Sequence, residues 1–187
     1  MRFRISMCLL NLFVFLYVLR FISETNINAD IKPFHFPHRM TDTRNLLFLD
    51  FDGVLHPTLC TSSSYFCEAG RLGSLIRDSD TDLKLVISSS WRFHHTMKKL
   101  RGFLPPELSR LVVGVTPSVT PGKHQRYREI KGFLKSYRSA PDWRALDDSA
   151  FEFPIPCPQL ILCNGRIGMD DRIVSEIRGW LPPKGEK

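Results

Sequence analysis

Cysteine is scarce in this chain and poorly spaced for a metal. Five stand at 8, 60, 67, 157 and 163. Neither the 60/67 nor the 157/163 interval has the short C-x2–4-C spacing of a zinc knuckle. An odd set so scattered reads as reduced thiols in a reducing compartment, which points to a cytoplasmic chain. Repeats and low-complexity tracts are lacking too, and the 43% hydrophobic and 24% charged residues are ordinary for a globular protein. Collagen, coiled-coil, disordered and multi-span membrane classes are thereby excluded. With 187 residues the chain has room for one domain and a core that needs no disulfide or metal staple.

Acid is in mild deficit: 26 Lys and Arg face 19 Asp and Glu, a net charge of +7. Part of the excess lies in residues 1–39, where five basic residues meet two acids. The remainder carries +4, a bias that suits an anionic substrate without requiring nucleic acid. Residues 5–22 form the longest apolar run, interrupted by Ser6, Asn11 and Arg20. Three readings stay open for it: a membrane anchor, a secretory signal, or an extension upstream of a domain that starts at Met40. Residues 23–39 read as a polar linker with two prolines. The expected organisation is an N-terminal segment over 1–39 and a single domain over 40–187, with membrane anchoring as the alternative location if 1–39 is native.

Short apolar runs alternate with amphipathic stretches through the rest. Strands are predicted at 45–51, 83–88, 111–115, 143–146 and 159–163, and helices at 71–80, 93–103, 124–137 and 170–180. Pro105 and Pro106 are expected to stop the second helix. Strands of this length alternating with helices predict an α/β fold whose mostly parallel, five-stranded sheet is covered on both faces.

The chemistry-bearing residues stand at the predicted strand ends. Asp50 and Asp52 follow the first strand, Ser88, Ser89 and Ser90 the second, and Asp147 and Asp148 the fourth. Ligands of open α/β sheets bind outside the carboxyl ends of the strands, so a central first strand flanked by the second and fourth would bring these groups together. Carboxylates so crowded stay ionised only beside a cation. An all-oxygen set with open positions suits Mg²⁺.

Four segments carry a resemblance: Leu49-Asp50-Phe51-Asp52-Gly53-Val54, Val86-Ile87-Ser88-Ser89, the R-x-x-E-I stretch from Arg126, and Ala145-Leu146-Asp147-Asp148. In their order they resemble the motifs of the haloacid dehalogenase (HAD) superfamily. Together DFDGVLHP, SSSWR, R-x-x-E-I-x-x-[WF]-L and W-x-A-L-D-D resemble its small capless domains, including those fused into RNA-repair proteins, over about residues 45–180. The resemblance implies a Rossmann-like three-layer α/β/α sandwich without a cap domain. It implies an Mg²⁺-dependent phosphohydrolase in which Asp50 attacks phosphorus and Asp52 acts as general acid and base. Asp50, Asp52, Asp147 and Asp148 would hold the metal. Ser89 is favoured over Ser88 to orient a phosphoryl oxygen, although strand phase permits either. His56 is expected to touch substrate. Arg126 is the third-motif cation, with Lys123 and Arg128 as rivals.

The same residues have plainer uses. Asp52-Gly53 also makes a turn, Ser90 also caps a helix, and Trp91 reads as a packing aromatic rather than a base-stacking platform. Asp170 and Asp171 are given no metal role. The intervals 54–83 and 93–123 are too short for a cap, so the site is expected to be open and to admit a bulky phosphorylated substrate such as a nucleic-acid end. The rival function is a catalytically silent binding or regulatory module. Substrate identity and oligomeric state are left open.

Overall fold

The structure, a computed structural model, describes residues 45–79, 82–139 and 141–181. The expectations for residues 1–39 lie outside the described residues. Among the described residues there are five strands: β1 (Asn45–Leu49), β2 (Leu83–Ile87), β3 (Val112–Val115), β4 (Asp142–Asp147) and β5 (Leu160–Leu162). The helices are α1 (Ala69–Arg77), α2 (Met97–Gly102), α3 (Pro106–Ser109), α4 (Gln125–Leu134) and α5 (Asp171–Trp180). All neighbouring strands are parallel, in the order β3-β2-β1-β4-β5. This is a Rossmann-like α/β sheet, entirely parallel where a mostly parallel one was expected. The central strand is β1, with Leu49 paired to Ile87 on one side and Leu146 on the other.

Side chains alternate across a strand, so parity assigns each residue to a layer. Leu47, Leu49, Leu85, Ile87 and Leu146 pack with Leu72 of α1, Leu100 of α2, Leu108 of α3 and Ile173 of α5. Leu46, Phe48, Val86, Trp143 and Ala145 pack with Ile130 and Phe133 of α4. Four helices thus cover one face and α4 the other. Both faces are dry, which is why β1 reads as a continuous apolar run rather than an alternating one.

Several boundaries differ from expectation; the helix predicted over 71–80, for instance, runs from Ala69 to Arg77, and three further differences bear on the site. The stretch predicted as one helix over 93–103 is a 3₁₀ turn at Ser90–Phe93 followed by α2. Thr96 causes the break: its hydroxyl accepts from the Lys99 amide at 3.3 Å and starts a new helix. Pro105-Pro106 does not simply stop a helix, because Pro106 occupies the first turn of α3, where its missing N–H costs nothing. The helix predicted over 124–137 runs only from Gln125 to Leu134, with His124 in the left-handed region at φ 54°.

Phe48 anchors the α4 layer, meeting Phe133 and Trp143 edge-on at centroid distances of 5.7 and 5.8 Å. Phe48→Ala is expected to cost about 3–5 kcal/mol of unfolding free energy by urea titration, the range for emptying a buried aromatic site.

Candidate active site

Parity also decides where the acids point. Asp50 continues the phase of Leu46 and Phe48, and Asp147 that of Trp143 and Ala145. Ser88 continues Val86, so all three face the α4 layer at the carboxyl end of the sheet. The sheet ladder runs past the formal strand ends, since the Asp50 amide donates to the Leu146 carbonyl at 3.1 Å and the Ser88 amide to Leu49 at 2.9 Å. Asp50, Asp147 and Asp148 each offer a carboxylate oxygen within 4.8 Å of the others.

Arg126 projects from the first turn of α4 into this cluster. Its Nη2 donates to Asp50 Oδ2 at 3.2 Å, and its Nε lies 3.6 Å from Asp147 Oδ2. Arg128 turns away and donates to the carbonyls of Lys123 and Thr120. Lys123 is exposed and lines a separate cleft of about 620 Å³ with His124, Phe151, Phe153 and Ile155. Arg126 is therefore the cation among the three that reaches the carboxylates. Ser89 lies close enough to Asp50 to favour its charged form and caps the turn that follows, accepting from the Trp91 amide at 3.5 Å. The buried Ser88 Oγ has no protein partner.

Asp52 stands at the edge, its side chain 40% exposed. Gly53, at φ 70°, lets the chain turn back there so that the Leu55 amide donates to the Phe51 carbonyl at 2.9 Å. Both Asp52 oxygens are engaged: Trp91 Nε1 donates to Oδ2 at 2.9 Å, and His56 Nε2 lies 3.1 Å from Oδ1. The Phe66 amide donates to His56 Nδ1 at 3.4 Å, which leaves the ring proton on Nε2, facing Asp52. His56 is fully buried, packed by Tyr65, Phe66 and Trp91. Its ring meets the site through Asp52. Trp91 is more than the packing aromatic it was read as, because its indole N–H holds a carboxylate. Its place directly after the serine triplet was the available signal.

Asp148 sits in a slot between two glycines. A Cβ on Gly53 or on Gly165 would lie 2.2 or 2.3 Å from Asp148 Oδ2, so neither position accepts a side chain without displacing the carboxylate. Thr58 and Ser149 hydroxyls donate to the two oxygens of Asp148 at 3.2 and 3.1 Å. The Thr58 amide also donates to the Gly165 carbonyl, and the one hydroxyl proton of Thr58 is shared between that carbonyl at 2.9 Å and Asp148. The 164–169 loop, unassigned from the sequence, is therefore one wall of the site. Asp170 caps α5 by accepting from the Ile173 amide at 2.9 Å, and Asp171 pairs with Arg71.

The electrostatics are those of a crowded anionic centre. Burial raises the Asp50 pKa, opposed chiefly by Arg126. Burial and then the charge of Asp50 push Asp147 up to about 7. Asp147 Oδ2 is buried and has no hydrogen-bond donor of its own. One guanidinium does not balance this set. An all-oxygen, uncompensated cluster is the donor chemistry that a hard divalent cation such as Mg²⁺ takes, and Asp50, Asp147 and Asp148 are the side chains that would hold it.

In metal-free protein the raised carboxyls bind protons that the unfolded chain releases near pH 4. The folded state therefore carries more protons between about pH 4 and 7, and stability falls as pH rises through that window. Melting temperature in chelator should drop between pH 5 and 7, and Asp147→Asn should flatten the drop. Trp91→Phe keeps the packing and removes one Asp52 donor; it should leave the melting temperature within a few degrees, whereas Gly165→Ala should lower it as Asp148 is displaced.

The family model describing the HAD domain in Swiss Army Knife RNA repair proteins matches residues 46–174. Neither the curated proteins nor the solved structures contain a match. The matched region runs from the second residue of β1 through β5 and holds every acid of the cluster. The chain belongs to the haloacid dehalogenase family, as a domain of the type found in Swiss Army Knife RNA repair proteins.

Proposed function

We propose that the protein is an Mg²⁺-dependent phosphohydrolase that cleaves phosphoric monoesters through a phosphorylated Asp50. The observation that carries this reading is the meeting of Asp50, Asp147, Asp148 and Arg126 at one point at the end of the central strand. The metal would supply positive charge between nucleophile and phosphate, held by the Asp50, Asp147 and Asp148 carboxylates and the Asp52 backbone carbonyl. Asp50 attacks phosphorus with one carboxylate oxygen, forming an acyl phosphate as the ester oxygen leaves. Asp52 gives that oxygen its proton, then takes one from the water that hydrolyses the acyl phosphate, so the carboxyl returns to its starting state. Trp91 and His56 fix the carboxylate in place for both transfers. Arg126, already against Asp50, carries the charge spread over the phosphoryl oxygens, and the Ser88 and Ser89 hydroxyls orient them.

The open rim supports a bulky substrate. Tyr65, Phe93 and Phe151 are exposed around the carboxyl end of the sheet. The Lys123–Ile155 cleft lies between the segments that lead into Arg126 and out of Asp148. Aromatic faces and a cation beside a phosphate site suit a single-stranded nucleic-acid end, whose bases stack on such rings.

The test is a panel of phosphorylated small molecules, phosphopeptides and 3′- or 5′-phosphorylated oligonucleotides, with and without Mg²⁺. Phosphate release from oligonucleotide ends, dependent on Mg²⁺ and abolished in folded Asp50→Asn, is expected. Arg126→Ala should lose about 2–4 kcal/mol of transition-state stabilisation in kcat/KM, and Arg128→Ala little. Release undiminished in Asp50→Asn would exclude the covalent route, and no release from the whole panel would favour the silent module.

A further inference from the structure

Arg92 and Glu129 form a buried ion pair that the chemistry above does not use. Their side chains are 4% and 2% exposed, with Nη2 and Oε2 2.5 Å apart. Three of the other N–H groups of Arg92 go to main-chain carbonyls. Nη1 donates to Ser88 and Ser89 at 3.0 and 2.8 Å, and Nε to Thr116 at 3.2 Å. One guanidinium thus joins the end of β2, the end of β3 and helix α4. Glu129 lies one turn after Arg126 on α4.

A buried ion pair adds little net stability over apolar residues of the same shape, so its presence asks for another reason. The start of α4 supplies it. His124 makes no side-chain cap bond, and the Arg126 amide is held from outside by Glu152 at 3.0 Å. The contacts of Arg126 to the carboxylates are 3.2 and 3.6 Å, and its Nη1 has no partner. Arg126 is therefore aimed by its helix more than it holds the helix. Ile130 and Phe133 fasten α4 to the sheet by apolar contact, which is non-directional and leaves rotation and sliding soft. The planar fork of Arg92, locked by four acceptors, is directional.

We propose that Arg92–Glu129 is a positioning pair that sets the register of α4 against β2 and β3, and so aims Arg126 at Asp50 and Asp147 while fixing the Ser88–Ser89 turn. It gives the SSSWR and R-x-x-E segments a physical reason to occur together: the last residue of one clasps the last of the other. Its consequence for rate rests on the phosphohydrolase reading, whereas the placement of Arg126 can be measured without turnover.

The experiment uses the full chain and the variants Glu129→Gln and Arg92→Lys, with Arg128→Ala as control. Hydrogen exchange at the Arg126 Nε–H, followed by ¹⁵N NMR, should be about tenfold faster or more in both variants and unchanged in the control. Turnover should fall about 10–100-fold in kcat with KM within about twofold, the scale for losing a partner that orients a site residue. Arg126→Ala combined with Glu129→Gln should be no slower than Arg126→Ala alone, since both remove the same contribution. Unchanged Arg126 exchange in the folded variants, or losses that multiply in the double variant, would overturn the proposal. So would failure of both variants to fold at 10 °C, which would make the pair a stability element. Faster exchange in an enzyme that releases no phosphate would sink the phosphohydrolase reading and leave the positioning role standing.

Discussion

Negative charge concentrated at the carboxyl ends of adjacent parallel strands is the constraint on which this structure depends. Parallel pairing puts the ends of β1, β2 and β4 side by side, and the chain places carboxylates on two of them. In a dry layer such charges repel strongly and resist ionisation. Much of the surrounding architecture answers that repulsion. Arg126 enters between Asp50 and Asp147, backbone amides of Phe51 and Ser149 donate to the same two carboxylates at 2.7 and 2.9 Å, and hydroxyls of Thr58 and Ser149 hold Asp148. What these donors leave uncompensated is negative charge that a divalent cation would neutralise.

The acids divide into two kinds by environment. Asp50 and Asp147 are buried in the α4 layer, where charge is costly. Asp52 is half exposed at the turn, gripped by an indole and an imidazole. Groups of one residue type thereby meet different environments, and the proposed division into metal ligands and nucleophile on one side and proton donor on the other follows that difference.

Much of this was legible in the sequence because it depends on local pattern. Apolar runs ending in acid or serine mark strands whose carboxyl ends face the site, and the R-x-x-E-I register selects Arg126 over Arg128 through helical geometry. What escaped depends on contacts between distant segments. Trp91 meets Asp52 across 39 positions, and Gly165 meets Asp148 through a loop whose composition carries no acid–base signal. His56 looked accessible because it follows the DFDGV turn, yet the aromatic packing of Tyr65, Phe66 and Trp91 closes over it. The break before α2 was missed because Thr96 competes as a cap inside a stretch with helical periodicity.

Burial on both faces of β1 has a consequence for how this domain tolerates insertions and deletions. Every residue from Leu46 to Leu49 is apolar and fully buried, so a one-residue slip would still present hydrocarbon to both layers. The same slip would swing Asp50 from the α4 layer to the side of Leu72 and Ile173, away from Arg126 and Asp147. Hydrophobicity alone therefore guards the register of the central strand only weakly, and the shape of the Phe48 site adds to it. The stricter guard is the carboxylate, which finds compensating charge in one phase and hydrocarbon in the other. A length change in β1 would thus be filtered first by electrostatics at the strand's end and only second by the core.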